Sequence, residues 1–516
     1  MSWNDHLVVL PVVLPLAVGA AMLLLNESRH ALKAAMSFAS IVALIGAAVA
    51  LLGAADSQPV RVYPLGGWPA PFGIVLVADR LSALMVLLAA VLALAALAFS
   101  LARWHRAGPR FHSLLQFMLV GLNGAFLTGD LFNLFVFFEL LLAASYALTL
   151  HGSGTARVRA SLHYIAINLT ASLLFLIGAA LIYGVTGTLN MADLAMRIPG
   201  TASADVVLLE AGAAILGVAF LVKAGMWPLG FWLPATYAAA SAPAAALFAI
   251  LSKVGVYAVL RLWLLFFGGA VGNELLLYGG MATLAFGLIG VLASQALGRL
   301  AGFSLIVSSG TLLAVIGTGE AAATGAALYY LVVSTLGVSA LFLLIELVER
   351  SREPGADILA VTAAAFLGAD EEEQEPPEEV GVAIPAAMAL LGLSFACCGL
   401  LVAGLPPLPG FVAKVAVLGA LLAPEPVPPS AWALLALLSL SGLAAIIAMG
   451  RAGVRIFWAT QRSVPRVRVI EMAPVALLLG LCFALTVAAG PAMRYMQDTA
   501  QALYSPRAYI EGVLGR

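Results

Sequence analysis

Long apolar runs separated by short polar connections repeat along the whole chain. A helix that crosses a hydrocarbon core of about 30 Å takes about 20 apolar residues, and most of these runs reach that length. The pattern predicts an all-α polytopic membrane protein with about 14 transmembrane helices and a polar C-terminal tail along the membrane surface. The predicted spans are 7–25, 32–52, 78–101, 114–128, 131–150, 162–185, 206–240, 244–266, 274–292, 301–316, 321–347, 382–422, 431–449 and 473–489.

Spans seven and twelve are interrupted by proline and glycine, which predicts broken helices. The interruptions share a short sequence, Pro-Leu-Gly-Phe at 228–231 and Pro-Leu-Pro-Gly-Phe at 407–411, and each lies near a lysine. The two spans are five apart, and an odd number of spans reverses the chain direction. We therefore predict two inverted five-helix repeats, an architecture of transporters. The predicted regions are 1–110 (helices 1–3), 111–268 (first repeat, helices 4–8), 269–452 (second repeat, helices 9–13, with an acidic loop at 368–380) and 453–516 (helix 14 and a surface segment).

Four charged residues, Glu139, Lys223, Lys253 and Lys414, lie deep within separate spans. At about 1.5 Å of rise per residue, each is roughly 14–20 Å from a polar end of its span, near the middle of the bilayer. Exposing all four to lipid would cost on the order of 10 kcal/mol, so they should face protein or water. A carboxylate keeps a buried lysine protonated and its withdrawal favours proton release. We predict that they transfer protons, with Glu139 beside Lys223; a structural ion pair is the alternative.

Two further features concern the ends of this path. His163 begins span six beside Arg157 and Arg159, where it is either an interfacial histidine or a point of proton uptake from the cytoplasm. Lys253, Tyr257 and Arg261 are spaced at i, i+4 and i+8 and share one helix face. This face is an exit route, or Arg261 simply extends to the interface.

Composition excludes several classes of function. The chain is 63% hydrophobic and 10% charged, with a mean hydropathy of +1.06, which excludes a soluble domain. The net charge of −1 argues against nucleic-acid binding. The three cysteines lie in apolar runs without metal-ligand spacing. Because Walker A, haem, zinc and iron–sulfur signatures are missing as well, we expect no metal, no cofactor and no enzymatic reaction.

The orientation follows from the positive charges. Most of the 25 lysine and arginine residues fall in connections from odd- to even-numbered spans. Such connections are cytoplasmic by the positive-inside rule, which places both termini outside. The run DEEEQEPPEE at 370–379 is expected to be a solvated cytoplasmic loop.

Three segments together resemble a known family. They are TGDLFNLFVFFELLLAASYALTLHG at 128–152, KAGMWPLGFWLPATYAAASAPAAALFAILSKVGVYAVLR at 223–261 and GLPPLPGFVAKVAVLGALL at 404–422. The resemblance is to the antiporter-like membrane subunits shared by Mrp-type multisubunit cation/proton antiporters and respiratory complex I, and in particular to the D-type Mrp subunits. It extends over nearly the whole chain.

The resemblance implies a proton-transfer axis along the membrane plane. By the family pattern, Glu139, Lys223, Lys253 and Lys414 match the residues of helices five, seven, eight and twelve that form it. One departure stands out, since helix eleven lacks the usual histidine or lysine. The link from Lys253 to Lys414 would then need water together with hydroxyl groups. The candidates are Ser304, Ser308, Ser309, Tyr330, Ser334 and Thr335.

The function implied is the proton-translocating subunit of a multisubunit Na⁺ or K⁺/proton antiporter in the bacterial plasma membrane, with partners of the A/B, C, E, F and G types. The alternative is a proton-pumping subunit of a complex I-type NADH:quinone oxidoreductase or a membrane hydrogenase. A membrane scaffold without transport is the third interpretation. The sequence does not distinguish Na⁺ from K⁺.

Overall fold

The computed structural model describes residues 5–269, 271–350, 386–457 and 467–515. The acidic segment at 368–380 lies outside the described residues. Helices are numbered α1 to α20 and strands β1 and β2 in chain order.

The described chain is almost entirely helical. The first half contains α1 (Leu10–Leu24), α2 (His30–Ser57), α3 (Arg80–Ser100), α4 (Phe111–Leu127), α5 (Leu131–Leu150), α6 (Thr155–Thr186), α7 (Met191–Arg197), α8 (Val206–Ala224), α9 (Trp232–Ala239), α10 (Ala242–Phe248) and α11 (Leu251–Phe267). The second half contains α12 (Asn273–Ala293), α13 (Leu297–Ile316), α14 (Ala321–Arg350), α15 (Ala386–Ala403), α16 (Pro409–Leu421), α17 (Pro429–Phe457), α18 (Val469–Val487), α19 (Ala489–Tyr504) and α20 (Arg507–Leu514).

The helices confirm a polytopic membrane protein. Among the described residues, 12 helical segments are long and apolar enough to cross a bilayer, with α10 and α11 counted as one. Three shorter apolar helices, α1, α4 and α16, accompany them. The total of fourteen spans and the repeat boundaries stay predictions.

Burial places α10, α11, α13 and α14 at the centre of the molecule. The window across α10 and α11 is fully buried by other helices, whereas α2, α6, α12, α15 and α18 present most of their residues to the outside. Lipid stabilises an apolar outer surface. The four central helices can carry polar groups, because other helices shield them from lipid. Any charged group on α11 therefore lies inside protein.

Both predicted helix breaks are present. The helix α8 ends at Ala224 and is followed by Gly225 with φ 76°, and α9 begins at Trp232. The helix α15 ends at Ala403 and is followed by Gly404 with φ 72°, and α16 begins at Pro409. Glycine adopts this left-handed backbone without the strain that a side chain brings. Each break leaves helix-end carbonyl groups inside the membrane region.

The all-α prediction misses one small element. Strand β1 (Val60–Pro64) pairs antiparallel with β2 (Val75–Asp79), with Val60 opposite Asp79. The strands are rich in valine, a residue that favours strands, and the connection between them, residues 65–74, contains Gly66 and Gly67 with positive φ. The predicted third span includes the end of β2, because hydropathy alone does not separate a short strand from a helix.

The two C-terminal helices, α19 and α20, lie against the same face as the hairpin. The helix α20 packs on β1 and α7, and α19 packs on α14 and α11. Their buried residues recur at helical spacing, with the remaining positions exposed or half-buried, as expected for helices that lie on a surface.

Candidate functional site

Glu139 lies in the middle of α5, whose start is fixed by Asp130. The Asp130 carboxylate accepts a hydrogen bond of 2.9 Å from the backbone N–H of Asn133 and so caps the helix. Glu139 itself is half-buried, and its Oε1 atom is buried without a hydrogen-bond partner in the protein. A buried carboxylate oxygen without a protein partner can accept a hydrogen bond from an ordered water molecule or bind a proton.

Lys223 occupies the last turn of α8, next to the break, and is 8% exposed. Its Nζ lies 5.1 Å from the centroid of the Phe138 ring, a cation–π distance. No carboxylate oxygen of a described residue lies within 4.0 Å of this Nζ, so Glu139 and Lys223 do not form a direct ion pair. The Glu139 charge still acts on the Lys223 ammonium through space.

Gly255 lets α11 approach the break in α8. A Cβ atom at this position would lie 2.3 Å from the backbone nitrogen of Ala224 and 2.8 Å from the carbonyl carbon of Lys223. Only glycine permits a contact this close. The segment that carries Lys253 is therefore held directly against the segment that carries Lys223.

Lys253 is completely buried in the first turns of α11. Its Nζ donates a hydrogen bond of 2.8 Å to Ser308 Oγ on α13, and Ser308 Oγ lies 2.9 Å from Ser334 Oγ on α14. A hydroxyl group can accept one hydrogen bond and donate another. The two serines therefore continue the polar line from α11 to α14, where the sequence has no histidine or lysine.

A small cavity of about 20 Å³ lies beyond Ser334. Ser304, Tyr330, Ser334 and Ser441 supply its polar groups. One water molecule needs about 10–15 Å³ and two to four polar partners, so the cavity has the size and lining for a single water. It lies between the serine pair and α16, the helix that carries Lys414.

Lys414 closes this line at the second break. Its Nζ donates a hydrogen bond of 2.8 Å to the carbonyl oxygen of Ala403, the last residue of α15. The negative end of the helix dipole favours a cation there. Gly404 and Gly442 leave the room for it, since added Cβ atoms would lie 2.6 Å from Lys414 Cδ and 3.2 Å from its Nζ, respectively.

His163 is not brought to this line. It is exposed on α6, and its Nδ1 lies 2.9 Å from the carbonyl oxygen of Arg159. The buried face of α6 instead carries Tyr164, whose hydroxyl lies 2.8 Å from Ser145 Oγ. The Tyr164 ring packs against Tyr146 at 5.1 Å, and Tyr146 lies two turns from Glu139 on α5.

Sequence reasoning misses this tyrosine pair. The available signal is the helical spacing of Ser161, Tyr164 and Asn168, which marks one face of α6 as polar and buried.

The sequence analysis also misses Lys33, a buried lysine at the start of the predicted span 32–52, because it adjoins the basic connection before that span. It lies in α2, is 2% exposed and donates a hydrogen bond of 2.7 Å to Glu27. Three histidine rings lie close together nearby, with centroids 6.1 Å apart for His30 and His105 and 5.7 Å apart for His105 and His112. Within the described residues, no group of three histidine, cysteine or acidic side chains has the arrangement of a metal site.

Residues 128–443 match the family model described as "NADH:quinone oxidoreductase/Mrp antiporter, TM". A probable K⁺/H⁺ antiporter protein of Rhizobium meliloti, named as the D-type subunit, is 58% identical, with 99% of this chain and 98% of the relative covered. The D-type subunits of the Na⁺/H⁺ antiporters of Alkalihalophilus pseudofirmus and Bacillus subtilis are 34% and 33% identical, each with 99% of both chains covered.

Solved structures agree with these relatives. A chain of the Mrp complex from Dietzia sp. matches with a TM-score of 0.85 and 26% identity, over 100% of both chains. A chain of respiratory complex I from Thermus thermophilus matches with a TM-score of 0.74 and 24% identity, over 99% of this chain and 100% of the other, and shows the shared fold. Together with the two broken helices and the buried lysines, these matches confirm the resemblance: the chain belongs to the family of membrane subunits shared by Mrp antiporters and NADH:quinone oxidoreductases.

Proposed function

We propose that this chain is the proton-translocating D-type subunit of a multisubunit antiporter that exchanges protons for Na⁺ or K⁺. The observation that carries the proposal is the placement of Glu139, Lys223, Lys253 and Lys414 on four different helices, α5, α8, α11 and α16, with two of the lysines at helix breaks. Buried charges that line a broken helix are a feature of ion paths. The names of the relatives support the same function.

The geometry supports a division of roles. Glu139 acts on Lys223 without a direct bond, so movement of either side chain changes how strongly the Lys223 proton is held. Lys253 is bound to a serine hydroxyl rather than to a carboxylate. A neutral partner leaves the Lys253 charge without a compensating carboxylate. Ser308, Ser334 and the small cavity then lead toward Lys414.

The proposed setting is a hetero-oligomeric complex in the bacterial plasma membrane, with partner subunits of the A/B, C, E, F and G types. The relatives named as D-type subunits and the Mrp complex structure support a multisubunit assembly. Both termini are proposed to lie outside. Proton uptake through His163 stays a prediction, and the half-buried Tyr146 with the buried Tyr164 offers a second way toward Glu139.

The alternative is a proton-pumping subunit of an NADH:quinone oxidoreductase or a membrane hydrogenase. The structural matches to complex I and to an archaeal sulfane sulfur reductase are 24% and 23% identical, and they speak for the fold alone. The relatives with 58% and 33–34% identity carry antiporter names, which favours the antiporter. Purification of the native complex distinguishes the two by its other subunits.

The test is cation-dependent proton movement in membrane vesicles that contain the whole complex. Glu139→Gln and Lys223→Ala should each reduce exchange at least 10-fold while the complex still assembles. Glu210→Gln is the matched control, because Glu210 is an exposed carboxylate on the same helix as Lys223 and its loss should leave exchange unchanged. Full exchange in both site variants would reject the proposed roles. Parallel assays with Na⁺ and K⁺ identify the cation.

A further inference from the structure

A cavity of about 230 Å³ lies where the C-terminal helices cover the ends of α2, α3 and α11. We call it the C-terminal vestibule. Its charged lining consists of Asp56, Asp79, Arg80, Arg261 and Asp498. At about 10–15 Å³ for each water molecule, the volume accommodates several of them beside charged walls.

An ion pair lies at the base of the vestibule. Arg261 binds Asp79 through both of its terminal nitrogens, with 2.8 Å between Nη2 and Oδ1. The two side chains are only 8% and 13% exposed. A bidentate pair of this kind holds the carboxylate in a fixed position, and the Ser82 N–H also binds its Oδ1 atom at 2.9 Å.

The same pair connects to the buried lysine on α11. Arg261 Nη2 lies 3.4 Å from the hydroxyl of Tyr257, and that hydroxyl donates a hydrogen bond of 2.6 Å to the carbonyl oxygen of Phe126. Lys253 lies one helical turn, about 5.4 Å along the axis, beyond Tyr257. Polar groups therefore follow one face of α11 from the vestibule to Lys253.

The C-terminal helices hold the vestibule together. Asp498 on α19 lies 2.9 Å from Arg80, and Asp56 at the end of α2 lies 3.2 Å from the same guanidinium. The Tyr495 hydroxyl donates a hydrogen bond of 2.9 Å to the carbonyl oxygen of Arg80. Arg261 also lies over the Tyr509 ring on α20 at 5.2 Å. These contacts give the C-terminal segment a role in shaping a polar chamber.

Building on the proposed function, we propose that the C-terminal vestibule is the aqueous port of the proton path on the outer face, and that the Asp79 carboxylate is its proton acceptor. A proton from vestibule water binds Asp79 and weakens its pairing with Arg261. From Asp79 the proton moves along the polar face of α11 toward a neutral Lys253 amine, and this transfer needs water, because the Tyr257 hydroxyl is bonded to the Phe126 carbonyl oxygen and Lys253 to Ser308. Arg261 stays charged throughout and positions Asp79.

The experiment uses single cysteines in the complete complex after Cys397, Cys398 and Cys482 have been replaced by serine. Ala502→Cys and Ala508→Cys each place a thiol in the vestibule lining, at exposed positions. Ser203→Cys is the control at an exposed site outside the vestibule. Exchange is measured in cells or vesicles before and after treatment with a membrane-impermeant, bulky methanethiosulfonate added from the outer side.

Modification of either vestibule cysteine should reduce proton uptake at least 5-fold, while modification at position 203 should have no effect. Exchange before modification reports the proposed function separately, so the two proposals fail independently. Labelling without inhibition, or no labelling from the outer side, overturns the port. Two vestibule positions are used so that one poorly assembled variant does not decide the result.

Asp79 is tested by substitution. Asp79→Asn should reduce exchange at least 10-fold, and Asp79→Glu should restore part of it with a shifted pH profile, which a purely structural role would not produce. Asp193→Asn is the control, because Asp193 pairs with Arg197 on α7 outside the vestibule. Unchanged exchange in Asp79→Asn excludes the carboxylate as the acceptor.

Discussion

Each of the four lysines, of which Lys414 is half-buried and the others are buried, has a different kind of partner. Lys33 has a carboxylate, Lys253 a serine hydroxyl, Lys414 a helix-end carbonyl and Lys223 an aromatic ring. Burying an ammonium without an opposite charge costs several kcal/mol. Lys33 is thus suited to a static role, whereas the partners of the other three carry no opposite formal charge.

The serine pair gives the first prediction at this scale. Ser334→Ala removes the hydroxyl that lies 2.9 Å from Ser308 Oγ. We expect exchange to fall about 3- to 30-fold, because loss of one of the two linked hydroxyls interrupts proton transfer toward Lys414. Ser339→Ala on the same helix is the control, because Ser339 is fully buried and lies outside the cavity lining. The readout is cation-driven proton movement in vesicles. Equal activity of both variants would contradict a hydroxyl link.

The Glu27–Lys33 pair gives a pH prediction. The hydrogen bond from Lys33 holds the pKa of Glu27 below its ordinary value of 4.5. Folding is therefore stabilised by this carboxylate above about pH 4.5, and the contribution is lost as the pH falls through the lower folded-state pKa. We expect Glu27→Gln to be less stable than wild type at pH 6, with the difference shrinking below pH 4.5.

Thermal unfolding of the detergent-solubilised chain across pH 3.5–6 measures this effect. Asp205→Asn is a suitable comparison, since Asp205 is an exposed carboxylate without an ion pair among the described residues. A constant difference between wild type and Glu27→Gln over the whole pH range would show that the pair does not act through ionisation.

At the scale of elements, the site depends on helices that end inside the membrane region and on glycines that allow close packing. The breaks after Ala224 and Ala403 expose helix-end groups where a lysine can bind, and Gly255 brings α11 against the first break. Position and spacing of the lysines are therefore set by backbone geometry rather than by ion pairs. The hairpin and the C-terminal helices add the charged chamber on one face.

Gly255→Ala tests the close contact. The added Cβ would lie 2.3 Å from backbone that cannot move aside without shifting α8, and such overpacking costs about 1–3 kcal/mol. We expect a lower unfolding temperature and at least 5-fold weaker exchange, because Lys223 shifts with α8. Gly184→Ala in α6 has nothing within 4 Å of the new Cβ and should be neutral or slightly stabilising. Equal stability of the two variants would show that the contact is not tight.

At the scale of the whole molecule, the positive charges predict which face of the protein is cytoplasmic and therefore how the proposed proton path is oriented. Arg103 and Arg350 lie on the predicted cytoplasmic side, where they bind Glu346 at 2.8 Å and Glu471 at 2.7 Å. The C-terminal vestibule lies on the predicted outer side. Lys253 and its partner Ser308 lie between these two faces. The proposed path would therefore run from one aqueous face into the membrane plane.

The orientation is testable by cysteine labelling of intact cells. In a cysteine-free background, Glu511→Cys near the C-terminus should react with an impermeant maleimide added outside. Ala107→Cys, exposed in the connection between α3 and α4, should react only after permeabilisation. The reverse pattern would place both termini in the cytoplasm and exchange the two faces of the path.

Much of this arrangement can be predicted from the sequence, because a helix that crosses a membrane needs a long apolar run. Apolar length identifies the spans, and charges and prolines inside them identify exceptions that need a protein interior. Boundaries are less accurate: α6 begins at Thr155, well before the predicted 162, since interfacial turns are polar and invisible to hydropathy. The end of β2 is absorbed into a predicted span because hydropathy does not separate a short strand from a helix.

The sequence by itself determined the class of fold and the two helix breaks, and it singled out four charged residues within apolar spans, because these follow from the cost of charge and unpaired backbone in lipid. Only the tertiary structure decided which groups meet. It separated Glu139 from direct contact with Lys223, paired Lys253 with Ser308, buried Lys33 and joined Asp79 to Arg261 across 182 positions. Such contacts depend on how helices distant in sequence pack, and no local pattern along the chain encodes that packing.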